Sequence, residues 1–231
     1  ENSLFPEEQM ERLSKTGVTE LKVALFDLDG TLIDTEAQYT PFWKEMGMKY
    51  RPDVPTLSQD IKGTTLTQIF SRFFPDPQQQ AEITAQLDAF EAQMDFKLMA
   101  GAEDFIGELR RNGVKCAVVT SSNQKKMDSM LKQLPKFNGM FDAILTSEQF
   151  TASKPAPDCY LLGAKTFGVD VEECVVFEDA FSGLEAAQRA GMFTIGFATT
   201  NPRADIEDRC DVVLDNYTQL SYQRLLEFFR I

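Results

Sequence analysis

Between residues 26 and 32 the chain reads Phe-Asp-Leu-Asp-Gly-Thr-Leu, directly after the apolar run Val23-Ala24-Leu25. Side chains i and i+2 of a strand share one side. A strand ending here brings Asp27 and Asp29 together at its carboxyl edge, and Gly30 allows the chain to turn away. Two carboxylates at one strand end suit metal-assisted chemistry. Similar letters occur in calcium loops: with Gly30 at loop position 6, positions 3, 5 and 12 fall on Asp27, Asp29 and Glu36. Position 1 would then be Leu25, and an EF-hand needs an entering helix where residues 22–26 are short, apolar and rich in strand formers. An ordinary Asx turn is the remaining non-functional reading.

The rest of the composition narrows the chemistry. The chain holds 231 residues and no histidine. That removes Ser-His-Asp hydrolysis, Cys-His pairs, phosphohistidine chemistry and histidine-ligated zinc, and leaves proton transfer mainly to Asp, Glu, Lys, Tyr or Cys. A net charge of -13 argues against nucleic acid as a partner. An acidic protein still binds an anion where a metal and a few lysines reverse the field locally. Cys116, Cys159, Cys174 and Cys210 have no Cys-x-x-Cys spacing and read as reduced residues of a cytoplasmic protein. No stretch approaches a membrane span, and residues 1–20 lack a signal peptide's apolar region. The expectation is a protein with neither membrane nor nucleic-acid partner, and a monomer.

The elements that must position these carboxylates follow from periodicity. A short helix is expected over 3–16 and a strand over 22–26. Residues 34–100 read as helical, with segments near 36–47, 65–74 and 78–97 punctuated by Pro52, Pro55, Pro75 and Pro77. After Gly101 helices alternate with strands: helix 102–112, strand 114–119, helix 124–134, strand 143–146, helix 157–167, strand 174–177, helix 181–190, strand 193–197, a short strand at 211–214 and a terminal helix. This alternation predicts an α/β fold, a doubly wound parallel sheet covered by helices on both faces, with a smaller all-α insert. Ligands bind such sheets at the carboxyl ends of the strands. Those ends carry Asp27 and Asp29, then Thr120-Ser121-Ser122-Asn123, then Glu178-Asp179, with Ser153-Lys154-Pro155 in the loop after the 143–146 strand.

Each block has a plainer reading. Thr120 or Ser122 could cap the helix that follows, Lys154 could be a solvated loop residue, and Glu178-Asp179 could be an acidic helix start. Together and in this order, over roughly residues 20–216, they resemble the haloacid dehalogenase superfamily of phosphotransferases, and the insert resembles its small helical cap. The resemblance implies a Rossmann-like core at 21–33 and 101–231, a cap at 34–100 and an N-terminal extension at 1–20. It implies that Asp27 attacks phosphorus to give an aspartyl-phosphate, while Asp29 protonates the leaving oxygen and then deprotonates water. It implies Mg²⁺ held by Asp27, the backbone carbonyl of Asp29 and Asp179, with Glu178 supporting. Thr120, Ser121, Ser122 and Asn123 would bind phosphoryl oxygens, and Lys154 would neutralise the phosphoryl group.

Within the superfamily the texture is similar to β-phosphoglucomutase and to sugar-phosphate phosphatases with the same cap. The mutase's cap histidine falls on Tyr39 here, and the arginine after its Lys-Gly is absent from Lys62-Gly63-Thr64-Thr65-Leu66. A Mg²⁺-dependent phosphatase for a small phosphate ester, a sugar phosphate above all, is therefore expected. A phosphomutase and a non-catalytic phosphate-metabolite binding protein are the alternatives. Tyr39, Lys62, Thr64, Thr65 and Gln68 are the cap residues expected to meet the leaving group.

Overall fold

The computed structural model describes residues 19–230; the helix expected over 3–16 lies outside them. Six strands form one sheet in the order β3-β2-β1-β4-β5-β6, every pair parallel: β1 (Val23–Phe26), β2 (Lys115–Val119), β3 (Ala143–Leu145), β4 (Cys174–Glu178), β5 (Phe193–Phe197) and β6 (Val212–Leu214). The order reverses direction at β1, which leaves a crevice at the strand carboxyl ends.

The sequence is continuous and apolar along β1, β2 and β4 because both faces are covered. Alternation divides their side chains between two cores. Ala24, Phe26, Cys116, Val118, Val175 and Phe177 join one cluster, and Val23, Leu25, Ala117, Val119, Cys174 and Val176 join the other. Phe26 stacks on Phe177 at 4.6 Å between centroids. Four cysteines are free; Cys116, Cys159 and Cys174 are buried and Cys210 half-buried.

Between β1 and β2 run α1 (Glu36–Tyr50), α2 (Leu57–Asp60), α3 (Leu66–Phe73), α4 (Pro77–Ala92) and α5 (Ala102–Arg111). The first four bury their own cluster, which includes Phe42, Trp43, Met46, Ile69, Phe74 and Ile83. Local chemistry sets their starts. Thr65 and Gln68 form a reciprocal capping box on α3, and Asp76 caps α4 with Pro77 in its first turn. The helix expected over 78–97 stops at Ala92. Beyond it Met94, Phe96 and Leu98 alternate with polar residues, a two-residue period that fits extended chain returning to the core. Met94 and Phe96 are buried, and Met99 N–H donates to Leu32 C=O at 2.8 Å. The remaining helices are α6 (Gln124–Gln133), α7 (Phe137–Met140), α8 (Asp158–Phe167), α9 (Phe181–Arg189), α10 (Arg203–Ile206) and α11 (Tyr222–Phe229). Among the described residues no helix is long and apolar enough to cross a membrane.

Candidate active site

Register places the functional groups level with one another. Phe26 pairs with Val118 on one side and with Phe177 on the other, and Asp27 N–H donates to Phe177 C=O at 3.0 Å. The residues just past these pairs, Asp27, Thr120, Glu178 and Asp179, consequently share one edge of the sheet. Asp27, Glu178 and Asp179 can each offer a carboxylate oxygen with all three oxygens within 4.8 Å of one another.

One buried lysine partly balances that charge. Lys154 Nζ donates to Asp27 Oδ1 at 2.9 Å, to Glu178 Oε1 at 2.6 Å and to Val119 C=O at 3.3 Å. Burial alone would lower the lysine's pKa, but Asp27 and Glu178 raise it far above the ordinary value, so it stays charged. Tyr160 O–H donates to the same Glu178 oxygen at 2.5 Å. Asp179 accepts from Thr31 Oγ1 at 2.9 Å and Thr200 Oγ1 at 2.5 Å. Burial, then the neighbouring Asp27 and Glu178, pushes its carboxyl well above the usual range. The ion pairs of the described residues bring no ammonium or guanidinium to Asp179. An excess of hard carboxylate oxygens over cations in a buried cluster fits a small divalent cation such as Mg²⁺. Gly30, with φ 79°, lies so close to Asp179 that a Cβ would collide with its carboxylate.

Asp29 sits apart from that cluster. Its carboxylate accepts from Lys126 Nζ at 2.7 and 2.6 Å, from Ser122 Oγ at 3.1 Å, and from Thr35 Oγ1. Burial pushes its pKa up, but Lys126 and the two hydroxyls outweigh this and hold it below the ordinary carboxylate value. Only its neighbours on the chain bring Asp29 near the three-carboxylate group; its side chain is occupied by Lys126.

The cluster opens into a cavity of about 850 Å³, mouth included, between the sheet edge and helices α1 to α4. Asp27, Asp29, Thr120, Ser121, Ser122 and Asp179 line its floor, and Tyr39, Lys62, Thr64, Glu36 and Glu91 line its cap side. Of the residues expected to bind phosphoryl oxygens, Thr120, Ser121 and Ser122 line the cavity, and the Asn123 side chain accepts from Lys126 N–H and caps α6. Thr120 Oγ1 accepts from Ser122 N–H at 3.0 Å while still lining the floor. Among the cap candidates, Thr65 caps α3 and Gln68 Nε2 donates to the backbone carbonyl of Lys154 at 2.9 Å, bracing the lysine loop. Lys126, Tyr160 and Glu91 are not singled out by the sequence, and Glu36 enters there only as a calcium-loop position. For Lys126 a signal existed. Lysines 125 and 126 occupy the first turn of α6, the end where the helix dipole disfavours cations, so a compensating acid was implied.

The crevice at the switch point of a parallel sheet, holding carboxylates and the buried Lys126 and Lys154, places the protein in the doubly wound α/β class with its site at the strand carboxyl ends. The family model of haloacid dehalogenase-like hydrolases matches residues 24–197, and the chain belongs to that family. It is 33% identical over 198 residues to the chloroplastic protein Suppressor of Quenching 1 of Arabidopsis thaliana, covering 81% of this chain and only 19% of that one. It is 30% identical over 207 residues to hexitol phosphatase A of Escherichia coli, covering 85% of this chain and 92% of that one. Among solved structures, CbbY from Rhodobacter sphaeroides in complex with xylulose-(1,5)bisphosphate superposes with a TM-score of 0.73 at 25% identity, over 89% of this chain and 99% of that chain.

Proposed function

We propose that the protein is a Mg²⁺-dependent phosphatase that hydrolyses a small phosphorylated metabolite, a sugar or polyol phosphate, through an aspartyl-phosphate. The observation that carries this reading is Asp27: one buried-edge carboxylate held by Lys154 at 2.9 Å, beside Glu178 and Asp179, and facing an open cavity. The name of the E. coli relative, a hexitol phosphatase, supports the substrate class. On this reading residues 21–33 and 101–231 are the catalytic core and residues 34–100 the cap.

In the first step an Asp27 oxygen attacks phosphorus and the ester P–O bond breaks, leaving the phosphoryl group on Asp27. Thr120 with Ser121 and Ser122 orients the phosphoryl oxygens, and the Lys154 ammonium opposes their charge. The negative charge of the entering phosphate favours the protonated form of Asp29, which gives that proton to the departing alkoxide. Asp29 then takes one from the water that attacks the aspartyl-phosphate, so that phosphate leaves and Asp27 is regenerated. Mg²⁺, bound through Asp27 and Asp179 with Glu178 behind, would supply charge neutralisation between nucleophile and phosphate. The cap walls exclude water while the phosphoryl group moves. Tyr39 argues against the mutase alternative, since its ring covers Lys126 and its O–H is held by Glu91 at 3.2 Å.

Phosphate release from a panel of hexose, hexitol and short-acid phosphates, with and without Mg²⁺, tests the proposal. Release by the wild type that needs the metal and vanishes in Asp27→Asn supports it. Isomerisation of a sugar 1-phosphate without release, or activity surviving Asp27→Asn, overturns it.

A further inference from the structure

Among the described residues Lys126 is the one nearly buried lysine that the reaction above leaves without a role; its side chain is 5% exposed. It rises from the first turn of α6 and reaches both oxygens of Asp29, at 2.7 and 2.6 Å. Burying an ammonium there carries a penalty that only close pairing offsets, and the helix dipole at that position adds to it. A merely structural residue would be better satisfied by an apolar side chain.

The surroundings give the arrangement a direction. Asp29 is gripped from three sides: by Lys126 of α6, by Ser122 of the loop after β2, and by Thr35 at the start of α1. The ring of Tyr39, also from α1, lies 4.5 Å from Lys126 Nζ. The next residue back, Lys125, pairs with Asp88 of α4 at 2.5 Å. The first turn of α6 is thus the place where the acid/base carboxylate and two cap helices meet. A carboxylate on a single methylene can still rotate about χ1 and χ2, toward the crowded Asp27 cluster or away from the leaving group, and three fixed donors remove that freedom.

We propose that Lys126 is a positioning residue for Asp29: its ammonium holds the carboxylate at the cavity wall, aligned with the leaving oxygen, and the covering Tyr39 ring makes that alignment complete only when the cap is seated. The inference rests on the phosphatase reading and adds a residue to it. Lys126 acts through Asp29 and transfers no proton itself.

The loss should scale with how much the leaving group needs the proton. General acid assistance contributes about 10²–10⁴-fold for a basic alkoxide, while a nitrophenolate leaves readily without it. With Mg²⁺ present, Lys126→Met is expected to lower kcat on glucitol 6-phosphate by about 10–100-fold and on p-nitrophenyl phosphate by less than about threefold, with KM little changed. Lys126→Arg should restore most of the loss. In an Asp29→Asn background Lys126→Met should add almost nothing, because both changes remove one device. Equal losses on the two esters, no loss on either, or full additivity with Asp29→Asn would overturn the proposal. Should Lys126→Met not fold, the same comparison with Lys126→Gln and Lys126→Arg decides it by the same outcomes. A wild-type enzyme that releases phosphate from neither ester would instead overturn the phosphatase reading, and this inference with it.

Discussion

Glu36 opens α1 and lines the cavity beside Asp27 and Asp29. A helix N-terminus ordinarily favours an anion, yet burial, then Asp29, pushes this carboxyl up to about 7, with Lys62 and Lys126 only partly opposing the shift. The ordinary value is 4.5, so the rise of about 2.5 pKa units, at about 1.36 kcal/mol each, sets a ceiling of about 3.4 kcal/mol. The sign follows from proton binding. Between pH about 4.5 and 7 the native protein holds a proton that the unfolded chain has released, so stability falls as pH rises through that window. Glu36→Gln keeps the shape and removes the ionisation. Its advantage over wild type should grow by about 1.5–2.5 kcal/mol between about pH 5 and about pH 8.5, after allowance for the side chain's partial exposure. Trp43, the single tryptophan, is buried in the same helix and reports unfolding of that element directly. The assay is urea unfolding followed by Trp43 fluorescence, with a chelator present. An advantage that does not change with pH, or a variant less stable than wild type at the alkaline end, would refute the electrostatic reasoning.

Gly183→Ala in α9 would put a Cβ on the Glu178 carboxylate; displacing that acid from Lys154 and Tyr160 should cost about 3–5 kcal/mol, read as a fall in Tm and in phosphate release. Mg²⁺ at about 100 times its Kd should stabilise the wild type by about 2.7 kcal/mol, and calorimetry of Asp179→Asn should show most of that gain gone. Gln68→Ala removes one half of the α3 capping box and the donor to the Lys154 carbonyl; urea unfolding should show a loss of about 1–2 kcal/mol, larger than for the exposed Gln59→Ala.

Much of this architecture was legible because it rests on short-range pattern. Val23-Ala24-Leu25-Phe26 could only be a strand buried on both faces, and the register that follows from pairing β1 with β2 and β4 delivers Asp27, Thr120 and Asp179 to one edge. The strand positions from Lys115 to Leu214 follow the expected alternation to within a residue or two. Helix α4 ends at Ala92, short of the expected 97, although the residues that follow still include helix formers. What ends the helix is a change from a 3.6-residue to a two-residue apolar period at Met94, Phe96 and Leu98, each set by core contacts distant in sequence. Asn123 is expected beside Ser122 among the phosphate ligands, and the structure gives its side chain a further task that the first turn of α6 requires, accepting from Lys126 N–H.

What sequence left unread is the electrostatic counterweight. A site without histidine concentrates its proton chemistry in carboxylates, and carboxylates crowded at a sheet edge repel one another unless each is given its own donors. Asp27 and Glu178 share Lys154, Asp179 has two threonine hydroxyls, and Asp29 has Lys126. These partners lie 21 to 148 residues away along the chain, so no local spacing announces them. The division also separates roles. The carboxylate left without a cation, Asp179, is the one suited to a metal, and the carboxylate claimed by an ammonium, Asp29, is kept from competing for that metal. Removing Lys126 should therefore blur a distinction between two acids only two residues apart on the chain, Asp27 and Asp29, that β1 alone cannot enforce.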